Sequence, residues 1–137
     1  MHSSLKTLFI AALATLILAG CSSNGDKQRE LELKADRRAG ILASSLPIEY
    51  GPLTITRASS KGSIVIIEML YNQSGSKSAD QLVASAKNYY CSSEDVRATM
   101  EEGIGYLIKV RNNRGQLVVE EMISTKTCSA SKEKAAE

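Results

Sequence analysis

Few side chains in this 137-residue chain could do chemistry, and their types already narrow the choice. The one His, His2, lies in an apolar leader together with the one Phe, and there is no Trp. Once the leader is removed, no imidazole remains for a general base, a Ser-His or Cys-His nucleophile pair, or a zinc or copper site. Adjacent acids occur at Glu101-Glu102 and Glu120-Glu121. A carboxylate dyad needs both groups on one substrate. The second pair falls on an expected strand, where neighbours point to opposite faces, and the first falls at a helix end in solvent. Ser74-Gly75-Ser76-Lys77 matches the S-x-x-K pattern of serine nucleophiles. Ser3 to Lys6 and Ser129 to Lys132 match it too, and Lys126-Thr127-Cys128 is not the K-T-G partner motif. Gly103-Ile104-Gly105 sits at a helix-to-strand junction, the reverse of the order a phosphate loop needs. Sixteen basic side chains against fifteen acidic ones beyond the leader leave no electrostatic footprint for nucleic acid. The reading is no enzyme, no metal and no cofactor other than a covalent lipid, as follows.

The remaining chemistry belongs to Cys21, Cys91 and Cys128. Lys6 gives a positive start, and Leu8 to Ala19 is an apolar run of twelve residues. A bilayer core needs roughly 20 helical residues, so the run suits a signal-peptide core rather than a span. Leu18-Ala19-Gly20-Cys21 resembles the lipobox of bacterial lipoproteins. That resemblance implies cleavage before Cys21, diacylation of its thiol and acylation of the freed amino group. Two or more acyl chains, at about 0.8 kcal/mol per buried CH₂, hold a protein stably on a membrane. Ser22, rather than Asp, after the cysteine implies sorting to the outer membrane by similarity to enterobacterial-type lipoproteins. Export also places Cys91 and Cys128 where disulfides persist. No C-x-x-C or companion ligand favours a redox or metal pair, so one structural bridge is expected. Closing 38 residues should contribute about 4 kcal/mol.

The elements that must hold this surface can be read from periodicity. Leu31, Ala35, Ala39, Leu42 and Leu46 recur near 3.6, predicting a helix from Asp26, its cap, to Ser45, ended by Pro47. From Leu53 the period becomes two, and Lys61-Gly62 reads as a hairpin connection between strands. Ser78 should cap a helix over Ala79 to Tyr90. Ser92 or Ser93 should cap a shorter one over Glu94 to Glu102, with Gly103 beyond its end. Ile104 to Arg111 and Leu117 to Ile123 form a second hairpin around Asn113-Arg114-Gly115. The fold class is therefore α+β: one small domain, an antiparallel sheet of two hairpins packed with helices, and one disulfide. The boundaries are a signal peptide over 1–20, a lipidated tether over 21–26, the folded domain over 27–128 and a disordered tail over 129–137.

Alternation splits the strands into two faces. One set (Leu53, Ile55, Val65, Ile67, Met69, Tyr71, Ile104, Tyr106, Ile108, Val110, Leu117, Val119, Ile123) should be buried. The reverse face still carries Ile64, Ile66, Leu70, Leu107, Val118 and Met122 among Thr54, Thr56, Glu68, Lys109, Arg111 and Glu120. Such a half-apolar face is either covered by the amino-terminal helix or open to a partner. A groove between that helix and the sheet edge is a second place for a partner helix or strand.

Leu46-Pro47-Ile48, Glu102-Gly103-Ile104 followed by Tyr106, and Lys126-Thr127-Cys128, in that order behind a lipobox, resemble the pilotins of type II secretion systems. The similarity is to the beta, or AspS-type, class rather than the all-helical one. It implies an outer-membrane lipoprotein facing the periplasm. Such a protein binds the carboxy-terminal S-domain of a secretin subunit, and the lipoprotein sorting machinery then carries the pair to the outer membrane. The rival expectation is an envelope-structural lipoprotein bound to another outer-membrane component.

Overall fold

The structure is a computed structural model and describes residues 23–73 and 75–134. The expected signal peptide, Cys21, Ser22, Ser74 and the last three residues lie outside the described residues.

Helix α1 runs Ser23–Ala43, so most of the expected tether is helical and Asp26 sits in the first turn instead of capping. The compact unit begins at Leu31. Within it, the predicted stripe is the one that packs: Ala35 and Ala39 are buried, Leu31, Leu42 and Leu46 half-buried. Two alanines as the only buried contacts bring little apolar area into the core. Polar links at its flanks hold the helix as well: Lys34 Nζ to Glu102 Oε2 at 3.0 Å, and Ser60 Oγ to Asp36 Oδ1 at 3.0 Å.

After a cis Leu46–Pro47 bond come β1 (Ile48–Tyr50), β2 (Leu53–Lys61) and β3 (Ile64–Tyr71). Next are α2 (Ala79–Ser92) and α3 (Glu94–Glu102), then β4 (Gly105–Asn112), β5 (Leu117–Ile123) and α4 (Thr125–Lys134). The strands lie in sequence order across one sheet. Both hairpins form as read, and β1 adds a short antiparallel edge. The expected all-antiparallel sheet needs one correction: β3 and β4 pair in parallel, from Ile64↔Gly105 to Tyr71↔Asn112. Parallel strands need a long crossover, and the α2–α3 segment supplies it.

Capping chemistry fixes the helices. Ser78 and Gln81 form a reciprocal capping box at the start of α2. Gly103 ends α3 at φ 113°, and a Cβ there would also stand 3.2 Å from Leu31 Cδ1, so α1 approaches through the missing side chain. The tail expected to be disordered from Ser129 is helical through Lys134. Its start is fixed by another reciprocal pair: Thr127 Oγ1 accepts from the Ser124 N–H, and Ser124 Oγ from the Thr127 N–H. Cys128 is buried on α4 and bridged to Cys91 near the end of α2, with Cα atoms 5.4 Å apart.

The core sits between one sheet face and the helices. Val65, Ile67, Ile108, Val110 and Ile123 meet Val83, Met100 and Ala39 there. Leu117, expected inside, is 46 % exposed. A bulge explains it: Val110 faces Val119 but Arg111 faces Leu117, so Val118 is extra and Leu117 changes face.

Candidate functional site

The two faces of the sheet differ in what covers them. None of Ile64, Ile66, Leu70, Leu107, Val118 and Met122 joins the hydrophobic cluster shared by strands and helices. The amino-terminal helix packs on the opposite face, so it does not cover these residues.

Register arranges the bare face in rows across four strands. Ser59, Ile66, Leu107 and Met122 form one row, and Thr54, Leu70, Arg111 and Leu117 another. Between them runs Arg57, Glu68, Lys109, Glu120, alternating in sign at every step. Arg57 Nε lies 3.7 Å from Glu68 Oε2 and Lys109 Nζ 3.5 Å from Glu120 Oε2. Opposite charges across strands stabilise the sheet, and burying this row under a partner would strip water from all four. It separates Leu70 and Val118 from the other four candidates. Ile64 and Met122 close over Gly105, where an added Cβ would stand 3.8 Å from Ile64 Cγ1 and 3.6 Å from Met122 Sδ. The bare face is thus two small apolar patches divided by a solvated charged ladder.

A different geometry holds on the helical side. Between α1 and the α2–α3 junction lies an open groove of about 780 Å³. Its floor is Val65, Ile67, Ile104 and Tyr106; Leu42, Ile41 and Arg38 stand on one wall, Tyr89, Tyr90 and Val96 on the other, and Ile48 at one end. Tyr50 follows Ile48 on the same side of β1. The most exposed large apolar residues of this side are Ile41 (65 %), Tyr89 (66 %) and Tyr50 (73 %), against 41 % for Leu70 and 44 % for Val118 on the bare face.

Four of the five tyrosines gather here. Tyr90 stacks edge-on against Tyr106 at 5.1 Å between centroids and against Tyr89 at 6.2 Å. Burial raises the Tyr90 phenol above its ordinary value, and the neighbouring Tyr106, Tyr89 and Tyr50 push it further the same way. Tyr90 is therefore neutral at physiological pH. Arg38 crosses from α1 to this cluster, donating from Nη1 to Tyr106 Oη at 3.2 Å and from Nη2 to Thr99 Oγ1 at 2.6 Å.

Among the described residues no group of acids, His or Cys could hold a metal ion. Glu121 meets Lys87 at 2.6 Å on the helical side while Glu120 meets Lys109 on the bare side, so these two carboxylates do not converge. Glu102 is engaged by Lys34 and Glu101 by Arg97. Reading the sequence expected a groove between α1 and the sheet edge; the groove lies instead between α1 and the α2–α3 junction, and Arg38, Ile41, Tyr89 and Tyr90 of its lining, with Tyr50 near Tyr90, were not singled out. The available signal was apolar Ile41 flanking a stripe already complete, and two adjacent tyrosines on a helix that could bury only one.

Comparison with known proteins fits this architecture. The profile of the Type II secretion system (T2SS) pilotin, S protein, family matches residues 27–128. The pilotin from the Vibrio vulnificus type 2 secretion system, EpsS, superposes with a TM-score of 0.71 at 44 % identity, over 76 % of this chain and 96 % of that one. The type II secretion pilotin AspS from Vibrio cholerae gives 0.71 at 40 % identity, over 78 % and 100 %. Pilotin AspS 2 of Escherichia coli O78:H11 is 25 % identical over 117 residues, 83 % of each chain. With a profile match over residues 27–128, the chain belongs to the type II secretion system pilotin, S protein, family.

Proposed function

We propose that this chain is an outer-membrane lipoprotein pilotin, anchored by acyl chains on Cys21 and directed outward by Ser22, that holds the carboxy-terminal S-domain of a secretin subunit in the groove beside α1. The lipid then lets the lipoprotein sorting machinery deliver the secretin to the outer membrane, where it multimerises. The observation that carries the reading is the groove itself: an apolar floor with exposed Ile41 and Tyr89 on its walls, and exposed Tyr50 near Tyr90. Tyrosine at a pocket mouth is typical of interface anchors. The bare face lacks this, because its charged row would have to be desolvated.

The groove also selects the occupant's backbone. Its walls are helices whose main-chain groups are already paired, and its floor is the flat of a sheet rather than an edge. A segment buried there must satisfy its own N–H and C=O groups, which a helix does and a lone strand does not.

The test is calorimetric titration of the full chain, solubilised in a non-ionic detergent, with the S-domain peptide of the type II secretin from the same genome. Saturable binding is expected, weakened tenfold or more by Ile41→Ser or Tyr89→Ala and unchanged by Leu70→Ser or Val118→Ser. Loss of binding only in the last two variants would move the docking site to the bare face. A folded protein that binds no peptide would sink the pilotin reading and leave the envelope-structural one. Cys21→Ser should abolish palmitate incorporation and leave secretin multimers missing from the outer membrane.

A further inference from the structure

The groove holds one ion pair, Lys34 with Glu102, and beside it two arginines that have no carboxylate partner among the described residues. Arg37 and Arg38 stand on the α1 wall, both exposed, and among the described residues neither makes an ion pair. The carboxylate that lines the same groove, Glu102, is engaged by Lys34, and Asp36, adjacent in sequence, accepts from the Ser60 hydroxyl. Arg38 is held instead by two neutral hydroxyls. Thr99 Oγ1, itself buried, accepts from it while donating to Asp95 O at 2.9 Å, and Tyr106 Oη accepts at the groove floor. Those contacts use two of the five N–H donors of a guanidinium. The other three make no hydrogen bond among the described residues, Arg38 is exposed, and two contacts hold the planar fork in one orientation.

This arrangement is stable only while the groove is open. An apolar segment laid across it would take water from the free N–H groups, and a desolvated charge without a counter-charge is strongly disfavoured. Electrostatic complementarity requires the occupant to supply a carboxylate where those donors point. A guanidinium pre-oriented by Thr99 and Tyr106 suits the two-pronged geometry of such a group.

We propose that Arg38, with Arg37 beside it, is the specificity-determining residue of the groove and reads a carboxylate on the docked helix, either an Asp or Glu side chain or the free carboxy terminus. This rests on the secretin reading above and deepens it: the apolar groove supplies affinity, and the arginine fixes the register of the bound helix. An amphipathic helix of the right hydrophobicity without that carboxylate is rejected, because binding it leaves the cation dry and unpaired.

The test is a double-mutant cycle in the same detergent-solubilised full chain. The S-domain peptide is made in its natural form, with each acidic residue in turn changed to its amide, and with an amidated carboxy terminus. One of these neutral peptides should bind at least tenfold more weakly to the natural protein, and the loss should vanish against Arg38→Gln. Arg37→Gln, which removes no hydrogen bond or ion pair among the described residues, guards against a folding defect in Arg38→Gln; it should lower affinity severalfold and flatten the salt dependence. Between 50 and 500 mM salt, the natural pair should weaken and the neutralised pair should not. If every neutral peptide binds within twofold of the natural one, the arginine role is overturned while the secretin reading stands. If the natural peptide does not bind to folded protein, both fall together.

Discussion

Both faces of this sheet carry apolar side chains, more of them on the helical side, and the two behave as different materials. On β4, Ile108 points into the helical side and is fully buried, while its neighbour Leu107 points out and is only half-buried. The helical side is continuous: its apolar rows meet α1, α2 and α4, and where α1 stands off, a groove with an aromatic mouth remains. The bare side is interrupted by a row of alternating charges. Apolar content alone therefore does not mark a binding surface. What marks it is whether the apolar atoms are contiguous and where the nearest charges must go when water leaves.

The contrast can be broken most strongly through the bridge that fastens the helical side. Cys91→Ser with Cys128→Ser, closing no loop over a separation of 37, should cost about 4 kcal/mol, or more than roughly 15 °C in Tm. Thermal melts of the oxidised and double-serine proteins check it; a shift of a few degrees would mean that packing alone holds α4. Next in size is the adjacent pair on β4. Ile108→Ala should cost about 3 kcal/mol in urea unfolding and Leu107→Ala under about 1 kcal/mol. Equal costs would contradict the assignment of a dry face and a wet one.

Smaller in stability, but sharper in meaning, is removal of the ladder. Lys109→Val with Glu120→Val should change stability by no more than about 1 kcal/mol, since the pair is partly exposed. It should also fuse the two apolar patches and raise the sedimentation coefficient by self-association. A protein that sediments as before would show that the charges do not keep this face free. Smallest is a pH effect. Tyr90 is raised by burial first and by neighbouring tyrosines second, so the unfolded chain loses that proton before the folded one. The contribution is complete below pH 10.0 and is lost as pH rises through the folded value. Tyr90→Phe should flatten the alkaline fall of Tm, and an unchanged slope would assign that fall to other groups.

Most of the domain was legible because its signals are local. Period-two runs, Ser78 before Ala79 and Gly103 after Glu102 all act within one element. The misplaced features depend on something else. Leu117 has the right hydropathy for the core, but an extra residue at Val118 reverses its phase, and nothing in its type reveals that. The parallel seam is set by where α2 and α3 deliver the chain, not by any pattern in β3 or β4. The helix beyond Ser129 looks polar enough to stay unfolded, yet Ser124 and Thr127 start it and Cys128 holds it. The groove was expected at the sheet edge and lies instead over the flat of the sheet, beside the tyrosine cluster. Its tyrosines come from positions 50, 89, 90 and 106, and only the fold brings them together. As a member of the pilotin family the chain is no enzyme.

The parallel seam also sets a clock. Each hairpin closes over a short turn, on the order of microseconds. The seam joins residues 41 positions apart, from Ile64 with Gly105 onward, and its loop-closure entropy must be met before any of its bonds reward the chain. The sheet should therefore assemble as two ribbons that wait for the helices between them. In pulse-labelled hydrogen exchange, the Gly105 amide, bonded to Ser63 O across the seam at 3.1 Å, should gain protection after the hairpin amides. Protection arriving together with the hairpins would make the whole sheet one cooperative step. In that order of assembly, an unfolded chain exposes both ribbon edges until the seam closes, and that interval is when it most needs shielding from its neighbours.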